Sequence, residues 1–329
     1  MSAVNGLSTM KIARYWARGE AEAVHSGGAP ITLSIWRWSD SSQQDAQQRA
    51  NVASQDAARR METGSVAEGG QGYGYLDNPP REEIIEEITG EDGGTIATVT
   101  RNRMGSLILN TDGLMFIDVD TESAASEPSG GVLSRLASLL SSVGRRRKKA
   151  TVSSEFVVAH GRAGYAGDDR SGQTPEGPTG RIAQAAAMFP ADTFRLYQTA
   201  AGYRLMLVNR TVSPTSEECI KMLSSFDSDP LYLRLCEKQQ CYRARLTPKH
   251  WRCEMNPPPF RFPFGNPAEE QVYEGWVKEY EETIEAYTTC RFLQEFGPGQ
   301  THPELALLVQ VHDMMCRSDV DPESVLGLA

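Results

Sequence analysis

The stretch that most constrains this chain runs four large apolar residues straight into two carboxylates, Leu114-Met-Phe-Ile-Asp118-Val-Asp120. A β-strand sends successive side chains to opposite faces, so Asp118 and Asp120 share one face at the strand's end. Like charges that close either share a proton or are neutralised through a cation, usually a divalent ion with oxygen ligands. The stretch therefore reads either as a Mg2+ or Mn2+ site for phosphate chemistry or as two solvated aspartates at a strand terminus. The rest of the chain has to decide between these.

At 329 residues the chain is long enough to bury a sizeable core. Its formal charge of -10 argues against a protein-wide footprint for nucleic acid, while leaving room for local basic patches. No apolar run approaches the roughly 20 residues of a membrane span, so no membrane partner is expected. The opening residues carry no basic segment followed by an apolar one, and six cysteines without an export signal fit a reducing cytoplasm.

Periodicity predicts a helix over 10–23 with Ile12, Tyr15 and Trp16 as its apolar stripe, a strand over 31–38, and a polar helix over 39–61 capped by Ser39, Asp40 or Ser42. A Gly-rich surface loop at 68–75 and a short acidic helix over 81–88 follow. Strands over 95–100, 106–110 and 114–119 read as a meander that ends in the two aspartates. Residues 121–190 are dominated by Ser, Gly, Pro, Ala and charge, with one amphipathic segment at 132–143 and five bases at 145–149, and read as a mobile insertion. A hairpin then joins 194–199 to 203–208 through Ala200-Ala-Gly202, and helices are expected over 217–226 and 230–238. The strand over 241–247 puts Arg243 and Arg245 on one face. An extended Pro/Phe segment (256–265) and helices over 269–296 and 303–317 complete the chain.

These elements predict an α+β protein: a central, mostly antiparallel sheet flanked by helices, with a long mobile insertion. Its regions are 1–93, a discontinuous core of 94–120 and 191–253, the insertion at 121–190, and 254–329. If the strands share a sheet, the arginine face supplies countercharge to a triphosphate whose metal is held by the aspartates.

This order resembles the archaeo-eukaryotic primase-polymerase superfamily. There a strand ends in hhhDhD, a Gly-turn hairpin follows, and a later strand carries a basic segment; here the counterparts are Phe116-Ile-Asp118-Val-Asp120, Thr199-Ala-Ala-Gly202-Tyr-Arg204, and Arg243-Ala-Arg245-Leu-Thr-Pro-Lys249. The resemblance implies an RRM-like core and metal-dependent nucleotidyl transfer. In it Asp118 and Asp120 are the catalytic, Mg2+- or Mn2+-binding pair, Arg204, Arg243, Arg245 and Lys249 hold phosphates, and a nucleoside triphosphate or nucleic acid is the partner. Where the family carries a nucleotide-contacting histidine this chain has Arg204 or Leu205, and Asp227 and Asp229 are the nearest candidates for its third acid.

Three other readings compete. One is a non-enzymatic cytoplasmic interaction or structural module, with solvated aspartates and arginines paired to surface acids. A second is a phosphohydrolase resembling the haloacid dehalogenases, with Asp118 as nucleophile; it needs a parallel sheet. The third concerns Cys236, Cys241, His250 and Cys253, whose C-x4-C-x8-H-x2-C spacing offers four Zn2+ ligands but is not that of a standard knuckle, so thiols packed near a core are the preferred reading. His312-Asp313 reads as a pair on the surface of the last helix.

Overall fold

A computed structural model describes residues 10–24, 28, 30–63, 79–121, 177–319 and 326–329. The Gly-rich stretch at 68–75, the amphipathic segment at 132–143 and the bases at 145–149 lie outside them.

The first unit is a hairpin of β1 (Tyr15–Val24) and β2 (Pro30–Ser39) covered by α1 (Gln43–Glu62). The expected helix over 10–23 is thus a strand. The reason lies in Ala17-Arg-Gly-Glu-Ala-Glu-Ala23, where small residues alternate with charged ones: Ala17, Gly19 and Ala23 are buried while Arg18, Glu20 and Glu22 face out. Helix α1 answers with Ala46, Ala50, Ser54 and Ala58 at four-residue spacing, and Ser42 caps it by accepting from the Asp45 amide. Small residues on both sides let the backbones nearly touch: a Cβ on Gly19 would lie 2.2 Å from the Ala50 carbonyl oxygen.

Two four-stranded antiparallel sheets make the centre. The first contains β3 (Glu83–Thr89), β4 (Thr95–Arg101), β5 (Leu107–Thr111) and, after a long excursion, β9 (Tyr242–Arg245), in the order β3-β4-β5-β9. Residues expected to form an acidic helix at 81–88 instead supply β3, whose Ile84 and Ile88 pair with Thr100 and Ala97 of β4, so tertiary pairing overrides local charge pattern. The turn after β5 sends the next strand, β6 (Met115–Asp120), into the other sheet, and the expected meander is split between the two. That second sheet contains β6, the hairpin of β7 (Phe194–Thr199) and β8 (Gly202–Leu207) anticipated from sequence, and β11 (Cys290–Phe296), in the order β11-β7-β8-β6. A two-residue strand, β10 (Tyr287–Thr288), pairs in parallel with β12 (Gly327–Leu328).

Helices α2 (Pro178–Ala187), α3 (Glu217–Ser225), α4 (Pro230–Gln239), α5 (Pro267–Thr283) and α6 (Pro303–Cys316) surround the sheets. Helix α2 falls inside the segment read as insertion and buries Ile182, Ala185 and Ala186. Helix α5 stops at Thr283, well short of the helix expected to reach 296, because the aromatic and β-branched residues after it provide β10 and then the partner that β7 needs. Phe116, Ile117, Leu196, Tyr197, Leu205 and Met206 form the fully buried centre. Strands β6 and β9 are the facing edges of the two sheets, and Tyr232 of α4 pins the seam: its hydroxyl lies 3.3 Å from the Phe116 carbonyl oxygen and 3.4 Å from that of Arg243.

Candidate functional site

Where the sheets part, the seam opens as a cleft of about 620 Å³. Arg81, Arg103, Arg204, Arg243, Arg245 and Arg261 line it, against the two acids Glu82 and Asp118. On a chain of net charge -10, such a recess concentrates positive potential where anions can reach it. Met104, Leu231, Leu235 and Phe262 give it an apolar wall.

Asp118, at the end of β6, pairs in register with Arg204 on β8. Arg204 Nε donates to Asp118 Oδ1 at 2.9 Å, and Nη1 donates to the Arg245 carbonyl oxygen at 2.9 Å, so one buried guanidinium ties the two sheets together. Burial works against that charge, yet the Asp118 carboxylate prevails and holds the Arg204 pKa above its usual value. The Asp118 side chain is itself 39% exposed and faces the cleft. Asp120, two residues on, sits at the exposed end of the strand. Partial burial, and after it the charges of Asp118 and Asp229, push its pKa above the ordinary carboxylate range. Of the two candidate third acids, Asp229 is therefore the one whose charge reaches this strand end, from its place as N-cap of α4.

Arg243 and Arg245 alternate with buried residues along β9 and both reach the cleft, as the alternation predicts. Arg243 Nη2 donates to both oxygens of Glu82 at 2.7 Å, and Glu82 also accepts from Thr100 Oγ1 at 2.7 Å. Arg245 differs: its Nε is buried with no hydrogen-bond partner among the described residues. Burial, followed by repulsion from Arg204, brings its pKa down to about 10, which leaves it a cation at neutral pH. Lys249 does not line the cleft; its Nζ lies 5.0 Å from the Trp251 ring centroid, and its charge reaches Asp120.

The four residues with zinc-like spacing do not assemble. Cys236 and Cys241 line the cleft, whereas His250 and Cys253 lie in a single 3-10 turn, with His250 Nδ1 3.0 Å from the Met255 carbonyl oxygen. Burial pushes the thiol of Cys236 well up, that of Cys241 to about 12 and that of Cys253 to about 11, as expected of packed thiols. The sequence reading missed Arg81, Arg103 and Arg261, which come from separate loops that only the folded chain brings to one recess. It also misplaced His312, which is fully buried rather than on a helix surface and stands with Cys290 and Cys316. The four-residue spacing of His312 and Cys316 on one helix is the signal that would have found that pair. The parallel strand order required by the phosphohydrolase reading is not found in either four-stranded sheet, where every pairing is antiparallel.

Comparison of the chain with protein-family models, curated proteins and solved structures found no match.

Proposed function

We propose that the cleft binds the phosphates of a nucleotide or of a nucleic-acid strand, with Mg2+ or Mn2+ held by Asp118, which lines it, and by Asp120, which lies beyond its lining at the exposed end of β6. The observation that carries this reading is the convergence of Asp118, Arg204, Arg243 and Arg245, from strands of two different sheets, on one recess with a cationic majority. The Arg245 guanidinium lines the recess with no acid bonded to its Nε, and arginine favours phosphate through its planar fork of donors. The apolar wall of Met104, Leu231 and Phe262 suits a base. Buried free cysteines suit the reducing cytoplasm as the place of action.

Nucleotidyl transfer of primase-polymerase type is the reaction that this set of groups would serve. It asks more than binding does, because Asp118 must exchange the Arg204 guanidinium for a metal ion. A non-enzymatic module is the second reading, favoured by the ion pairs Asp118–Arg204 and Glu82–Arg243, which already neutralise half of the expected site.

Calorimetric titration of a nucleoside triphosphate, with and without Mn2+, separates the two. Binding strengthened by Mn2+, weakened at least about tenfold in Arg245→Ala and stripped of its metal dependence in Asp120→Asn is the expected result. Triphosphate binding that is absent, or equal in wild type and Arg245→Ala, would leave the module.

A further inference from the structure

Cys290 opens β11, and His312 and Cys316 lie one turn apart on α6. Strand and helix bring two thiols and an imidazole together with their donor atoms all within 4.8 Å of one another. All three residues are 0% exposed. The imidazole is held from behind: Asp313 Oδ1 lies 2.9 Å from His312 Nδ1, and Asp313 accepts in turn from Tyr197 Oη at 2.8 Å and Arg195 Nη2 at 2.9 Å. This leaves Nε2 facing the sulfurs, 4.0 Å from Cys290 Sγ. The backbone is pinned as well, since Thr289 N and Thr288 Oγ1 donate to the Cys316 carbonyl oxygen at 3.0 and 2.9 Å.

We propose that Cys290 Sγ, Cys316 Sγ and His312 Nε2 bind one thiophilic d10 metal ion, Zn2+ or Cu+. Thiolate and imidazole donors select such ions over the hard cations that take oxygen ligands. The carboxylate behind the ring is the support that metal-ligating histidines use to fix tautomer and orientation. Two thiolates offset the charge of the ion in a pocket walled by the rings of Phe116 and Tyr197, 5.6 and 5.1 Å from His312. Arg204 Nη1 lies 3.4 Å from the same His312 Nε2, so an ion would replace that contact; the site has three protein ligands and adjoins the cleft through this one side chain. Metal uptake replaces the thiol protons, which leave to solvent.

The test is titration of the intact, reduced, metal-stripped chain with Zn2+ and, anaerobically, with Cu+, followed by X-ray absorption of the loaded wild type. One ion per chain is expected, lost in Cys290→Ser and Cys316→Ser, with affinity reduced about 10–100-fold in Asp313→Asn. The zinc spectrum should show two sulfurs at about 2.3 Å and a nitrogen at about 2.0–2.1 Å, a readout that needs no variant to fold. Stoichiometric binding of neither ion, binding that survives both serine variants, or a sulfur-free spectrum would overturn the site. A Cys290–Cys316 disulfide in freshly purified protein would overturn it too, and make the pair a redox couple.

Discussion

Asp118 and Asp120 look equivalent in the sequence, and the fold makes them opposites. Asp118 is the charge partner of a buried arginine, so Asp118→Ala strands that arginine and is expected to cost roughly 2–3 kcal/mol, measured by denaturant unfolding. Asp120 stands among like charges with its pKa raised. A carboxyl raised in the folded state contributes stability that is complete below its unfolded pKa and is lost as pH rises through its folded one. Asp120→Asn should therefore stabilise the protein at neutral pH by up to about 0.5 kcal/mol, a small figure because solvent screens the exposed group. The gain should fade as acid takes the wild type below the ordinary carboxylate range; an unchanged midpoint at neutral pH would mean that the repulsion is not felt. Hence Asp120, not Asp118, is the clean probe of a metal. The face shared by Arg243 and Arg245 was legible because strand alternation is local. The grip of Arg204 on Asp118 was not, since it depends on the pairing of two strands at residues 86 apart in the chain.

At the scale of elements, the misread segments have two causes. Residues 83–89 and 290–296 carry charge patterns or spacing compatible with a helix and became strands because a neighbouring edge required a partner, whereas 15–24 is a strand on its own alternation of small and charged residues. The hairpin β7–β8 and helices α3, α4 and α6 were legible because turn residues, caps and apolar spacing agreed with the tertiary outcome. Gly19 is where an element's packing is most exposed to change: a methyl there meets backbone, not a movable side chain. Gly19→Ala should cost about 1–3 kcal/mol and loosen α1, seen as faster amide exchange along 43–62. Tyr232→Phe, which deprives the seam of its hydroxyl, should cost about 1 kcal/mol.

The whole molecule combines a tight double-sheet body with a lighter N-terminal unit. The apolar cluster of that unit, Ala17, Ala46 and Ala50, is separate from the main one, and its links to the body include the exposed Arg14–Glu87 pair and the bond from the Lys11 amide to the Gln239 carbonyl oxygen. Exposed pairs contribute little, so native-state exchange should find residues 15–62 opening at lower free energy than β6, β7 and β8; equal protection throughout would mean one cooperative unit. The sheet switch after β5 acts on a different axis, the order of synthesis. Strand β5 waits for β9 and β6 for β8, while β7 gains its outer neighbour only when β11 has left the ribosome. A nascent chain halted before Tyr242 thus presents open strand edges to whatever other chains are near, and chains arrested there should aggregate more readily than the finished protein.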